Sequence, residues 1–103
     1  MYIRPARCPS GMERLIWFLL AGTRGGPNRT RILATIRERP RNAHQIAQAL
    51  SLNYRTVLHH LQLLAEHGLI TTPSKDAYGA VYFLGAVMER NMDLLYRILR
   101  EGR

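Results

Sequence analysis

A mostly α domain with a small β-hairpin is the fold class that this sequence of 103 residues predicts, and three observations carry it. Residues 42–68 read as a short helix, a tight turn and a longer helix, apolar on one side and polar on the other. Leu69-Ile-Thr-Thr72 follows at once, then a polar turn and Ala80-Val-Tyr-Phe-Leu84, which supply two short strands. Helical patterns at both chain ends are more apolar than a three-helix core needs. That order is a winged helix-turn-helix, with N- and C-terminal helices forming a dimer interface.

Residues 1–11 hold Pro5, Pro9, Ser10 and Gly11 with two arginines and read as an irregular tail. The patterned part, residues 12–103, is expected to be a single domain. The first helix covers about 12–21 and is apolar nearly all round at Leu15, Ile16, Trp17, Phe18, Leu19 and Leu20. Such a helix needs a second wall, and a partner subunit is the simplest source of one.

Residues 22–27 form a loop, and Asn28 is placed to cap the second helix, in which Ile32, Leu33 and Ile36 follow helical spacing. Pro40 stops it. Asn42 caps the third helix, with Gln45 where a capping box places its reciprocal acceptor. Ile46, Ala47 and Leu50 are its inner face.

Residues 51–53 are the turn, where Leu52 plugs the angle between helices and Asn53 caps the fourth. That helix, about 53–67, is the expected recognition helix. Val57, Leu61 and Leu64 make its inner stripe, and Gly68 is its left-handed stop. The wing spans about 70–84, with its tip around Lys75. Residues 87–100 are expected to form one last helix with Met88, Leu95 and Leu99 along a stripe.

The net charge is +8, and of 15 basic residues only Lys75 is not arginine. Arginine presents a flat fork of donors suited to phosphate and to guanine edges, so the composition points to a polyanionic partner. Cys8 stands alone, which excludes a disulfide framework within the chain and suits a reducing cytoplasm. The apolar run at 15–21 falls far short of the roughly 20 residues that span a bilayer, and no small-x-small cleavage site follows it. A membrane partner is therefore not expected.

In a helix-turn-helix the second helix lies in the major groove and offers its N-terminal residues to base edges. Here those are Asn53, Tyr54, Arg55 and Thr56, then His59 and Gln62 further along, with His60 beside them. Arg55 suits guanine and Gln62 adenine, while His59 can serve a base or a phosphate. Lys75 at the wing tip, with Arg29 and Arg31 near the start of the second helix, are candidates for phosphate contacts that position without specifying sequence. The dimer interface is expected to use Leu15, Trp17, Phe18, Leu19, Met88, Met92, Leu95 and Leu99.

Other chemistries find little support. Adjacent His59 and His60 point about 100° apart on a helix and cannot share one ion with ordinary geometry. The plain reading of His60 is a half-buried side chain bonding the neighbouring helix. Residues 22–26 lack the lysine of a phosphate-binding loop and a strand before it. The acids form no evident pair, so the chain is not expected to be an enzyme or to bind a metal or cofactor, and no small-molecule effector is evident.

The segment from Ser51 to Ile70, SLNYRTVLHHLQLLAEHGLI, resembles the ArsR-like winged-helix transcription regulators, and most of all their small archaeal type. Thr23-Arg-Gly-Gly-Pro-Asn-Arg29 and Arg41-Asn-Ala-His44 are similar to that subgroup as well, so the resemblance covers about residues 12–100. It implies a homodimer joined through the terminal helices, with Asn53 to His60 and the tip around Lys75 on DNA. The paired cysteines and acid-histidine clusters of the metal-sensing branch are absent, and Leu58 stands where relatives often carry a polar or basic residue. The expected function is that of a cytoplasmic, homodimeric transcription regulator on double-stranded DNA. A winged helix used as a protein-interaction module, or one that binds RNA in a transcription or RNA-processing assembly, is the rival.

Overall fold

The computed structural model describes residues 11–73 and 79–101. Chain order gives α1 (Gly11–Ala21), α2 (Gly26–Glu38), β1 (Arg41–Asn42), α3 (Ala43–Leu50), α4 (Tyr54–Glu66), β2 (Ile70–Thr71), β3 (Val81–Leu84), α5 (Ala86–Arg90) and α6 (Met92–Glu101). The fold is mostly helical with a small antiparallel sheet, a winged helix-turn-helix. Among the described residues no helix is long and apolar enough to cross a membrane.

One core joins all the helices. Ile16 and Leu20 of α1, Ile32 and Leu33 of α2, Ile46 of α3, Val57, Leu61 and Leu64 of α4 and Leu95 of α6 are all buried in it. The helical spacing of these apolar residues turns each helix's apolar stripe onto the others, and burial of that surface is what holds the bundle together.

Caps place the two helices of the central motif. The Asn42 side chain accepts from the Gln45 backbone N–H at 2.8 Å, and the Gln45 side chain accepts from the Asn42 N–H at 2.9 Å, a complete capping box. Helix α3 ends with Ser51 in the left-handed region, φ 56°, and Leu52 N–H reaches back to the Ala47 carbonyl at 2.9 Å. This is a Schellman turn built on serine where glycine would be less strained. Asn53 then caps α4, its Oδ1 accepting from Arg55 N–H at 2.8 Å and Thr56 N–H at 3.3 Å. Asn53→Ala is expected to cost about 1 kcal/mol, read as a lower urea midpoint, while Asn53→Asp keeps the acceptor and most of the stability.

Helix α4 closes on a second Schellman turn. Gly68 has φ 78°, its N–H donates to Ala65, and Leu69 N–H donates to Leu64, each at 3.0 Å. The chain turns straight into β2. Strand β3 pairs antiparallel with β2 in the register Ile70↔Leu84 and Thr71↔Phe83, as the predicted wing requires.

Three expectations are corrected. The sheet has a third strand, β1, which pairs with the other edge of β3 through Arg41↔Tyr82 and Asn42↔Val81, giving the order β1-β3-β2. Helix α2 begins at Gly26 rather than behind Asn28: Gly25 is its cap without a side-chain bond, and Pro27 fits the first turn because its missing N–H is not needed there. The C-terminal helix is broken at Asn91, whose N–H bonds to Met88 at 3.0 Å and whose Nδ2 bonds to the Val87 carbonyl at 2.8 Å. An asparagine side chain that competes for a backbone carbonyl is a common way to interrupt a helix.

Candidate nucleic-acid interface

Burial of Val57, Leu61 and Leu64 fixes how α4 is rotated about its axis, and the opposite face then has to point away from the core. Arg55, Thr56, His59 and Gln62 are all exposed on it. They form a row along one side of the helix, with donors and acceptors of the kinds that read base edges. Glu66, the one acid on α4, stands at its far end. Leu58 is half-buried and packs against the core from the edge of this face, so it offers no polar group there.

Asn53 and Tyr54 hold a different place. The Asn53 oxygen is committed to the cap described above. Tyr54 is half-buried and stacks on His44 of α3, ring centroids 4.1 Å apart and planes 9° from parallel. Helix-on-helix stacking of this kind is invisible in spacing alone, because it joins the first turn of α3 to the first turn of α4. Arg31 is exposed and clamps two elements: Nη2 donates to the Leu50 carbonyl at 3.0 Å and Nη1 to Asn28 Oδ1 at 3.3 Å. A cation on the last carbonyl of α3 also suits that helix's dipole. Lys75 lies outside the described residues, and so does most of the wing tip.

Two expected contacts are ruled out by burial. Arg29 is only 5% exposed and His60 only 6% exposed, so neither faces a nucleic acid. They face each other instead, Arg29 Nη1 to His60 Nδ1 at 3.2 Å. The plain reading of His60, a side chain bonded to the neighbouring helix, is therefore what the structure has. Its neighbour His59 points outward, and the two rings are tilted by 58°.

The apolar ends of the chain divide in a similar way. Phe18, Tyr96 and Leu99 are exposed large hydrophobic residues, and Leu15, Trp17 and Met92 are half-buried. Leu19, Met88 and Leu95 are instead buried in the protomer's own core, at 3% exposure or less, and cannot also face a partner. The break at Asn91 interrupts the expected stripe of the last helix and changes the side that each residue presents. Tyr96 was missed; Arg37 lies over its ring at 5.8 Å, which holds the tyrosine against α2 while leaving it accessible.

Residues 26–73 match a family profile described as a helix-turn-helix domain. No match is found among curated proteins. Among solved structures the chain is similar to a homodimeric winged helix-turn-helix DNA-binding domain from Mycobacterium bovis, a possible ArsR-family transcriptional regulator. The TM-score is 0.61 at 21% identity, over 96% of this chain and 93% of that one. The chain thus has the winged helix-turn-helix fold of that domain, and the stretch similar to the helix-turn-helix profile runs from α2 through α4 into β2.

Proposed function

We propose that this chain is a cytoplasmic transcription regulator that binds double-stranded DNA sequence-specifically as a homodimer. The observation that carries the reading is the outward row on α4, where Arg55, Thr56, His59 and Gln62 are exposed while the helix's other side is locked in the core. The net charge of +8 supports it by favouring a polyanion. The similar Mycobacterium bovis domain, homodimeric and DNA-binding by its description, supports it too. In this reading Arg31 and Lys75 position the phosphate backbone, and two copies of α4 enter major-groove half-sites about one helical turn apart.

Selection of bound duplexes from a random library tests the reading, followed by competition of the winner against duplex RNA and single strands at about 0.15 M salt. An enriched, two-fold symmetric motif that outcompetes RNA is expected. A library that yields no motif would turn the reading toward a protein-interaction module, and preference for RNA would turn it toward an RNA-binding one.

The second copy is proposed to cover the exposed Phe18 and Leu99 with the half-buried Leu15, Trp17 and Met92. Phe18→Glu combined with Leu99→Glu is expected to halve the mass seen by light scattering at micromolar concentration, with the helical circular dichroism unchanged. A wild-type protein that already scatters as a monomer would discard the dimer.

A further inference from the structure

The pair that burial removed from the DNA face occupies a singular position. Arg29 reaches from α2 to three other parts of the chain with one guanidinium. Nε donates to the Leu19 carbonyl of α1 at 2.9 Å, Nη2 donates to the Thr23 hydroxyl in the α1–α2 loop, and Nη1 donates to His60 of α4. A guanidinium has only donors, so the His60 Nδ1 must be the acceptor and the neutral ring carries its proton on Nε2. The loop packs directly on the pair: a Cβ on Gly25 would stand 2.6 Å from Arg29 Nη1 and 2.9 Å from His60 Cε1. These contacts link the loop and α1 to the middle of α4, one residue from His59 on its outward face.

A second proton on the ring would convert Nδ1 from acceptor to donor and leave two donors, both cationic, facing each other in a buried site. We infer that Arg29 and His60 form a proton-sensitive tie that positions α4 against the α1–α2 loop and loosens when His60 is protonated. The charged or titratable groups that act on His60 are Arg29 from α2 and His59 from its own helix. Thr23, Gly25 and the Leu19 carbonyl add no charge, and no carboxylate among the described residues acts on His60 to offset Arg29.

Burial first, then the fields of Arg29 and His59, hold His60 below its ordinary value near 6.5. The folded state therefore keeps the ring neutral where the unfolded chain already binds a proton. The tie's contribution is complete above about pH 7.5, starts to fall as pH drops through 6.5, and is lost as pH reaches the folded value. Arg29 and His60 are positioning residues here, since neither touches the DNA. The effect on binding rests on the reading of α4 given above, whereas the tie itself does not.

The test without DNA measures amide exchange of residues 54–66, corrected for intrinsic pH dependence, at pH 7.5 and 5.5. In the wild type, exchange in α4 is expected to rise on the order of fivefold on acidification. His60→Asn puts an amide oxygen close to the place of Nδ1 and removes the titration, so its exchange should stay within about twofold. Gly25→Ala, which crowds the pair while leaving both of its residues in place, should raise exchange at pH 7.5 already. An equal pH response in wild type and His60→Asn would overturn the tie, as would a His60 ring that titrates by NMR at or above its ordinary value. With a selected duplex, in a His59→Gln background, binding should weaken more on acidification with His60 in place than with His60→Asn. If selection yields no duplex, the DNA reading fails while the exchange result still decides the tie.

Discussion

Replacing Gly85 with alanine is expected to lower the stability of the domain by about 3 kcal/mol, seen as a large drop in urea midpoint. Gly85 lies between β3 and α5, where its N–H donates to the Leu69 carbonyl at 2.9 Å and its carbonyl receives the Glu89 N–H at 3.0 Å. A Cβ there would stand 2.2 Å from the Gly68 carbonyl oxygen. The Gly68 carbonyl is backbone and a Cβ is fixed rigidly to its own Cα, so neither can swing away. The wing and the end of α4 would have to separate, breaking the Schellman turn that leads into β2. The backbone at Gly85 has φ −75°, which any residue adopts, so the demand is for space alone. Gly68→Ala gives the contrast: nothing lies near its Cβ, but φ is 78°, and the cost should be about 1–2 kcal/mol. If Gly85→Ala proves no worse than Gly68→Ala, the close crossing of these two turns is not what holds the wing.

The parts of the fold legible in sequence are those governed by neighbours in the chain. The capping box at Asn42 and Gln45, the Asn53 cap, the Gly68 stop and the inner stripe of α4 each depend on residues within a turn or two, and each stands where spacing placed it. Strand β1 was not legible because Arg41 and Asn42 are extended only through their partners Tyr82 and Val81, some forty residues away. The outward row of α4 was legible for the same reason as its inner stripe, since the two are fixed by one rotation.

Arg29 and His60 were not legible as a pair. An arginine beside other arginines in a loop-proximal turn reads as one more surface cation, and only the fold brings it within 3.2 Å of a histidine on another helix. The glycine at 25 was the available signal, because a loop that packs on a buried side chain has little room for a Cβ. Leu19, Met88 and Leu95 were read as interface because an apolar stripe does not say which of two walls it meets.

Arg55→Ala is expected to weaken binding to a selected duplex by about 1–3 kcal/mol, roughly 5- to 150-fold, and to relax preference at one base pair of each half-site. Arg55 is the second residue of α4, and its backbone N–H is held by Asn53 Oδ1 at 2.8 Å, so the base of the side chain is fixed while the guanidinium is exposed. A fixed stem with a free planar fork is what bidentate contact with guanine requires. Arg55→Lys separates charge from shape: it should keep most of the nonspecific affinity and its salt dependence but lose the discrimination at that base pair. Arg31→Ala, on a residue already tied to Leu50 and Asn28, should weaken all duplexes alike. Fluorescence anisotropy on a panel of duplexes, each with one base pair changed, distinguishes these outcomes at about 0.15 M salt. Should Arg55→Ala lose the same affinity on every duplex, Arg55 touches phosphate, and base readout falls to His59 and Gln62 further along the helix.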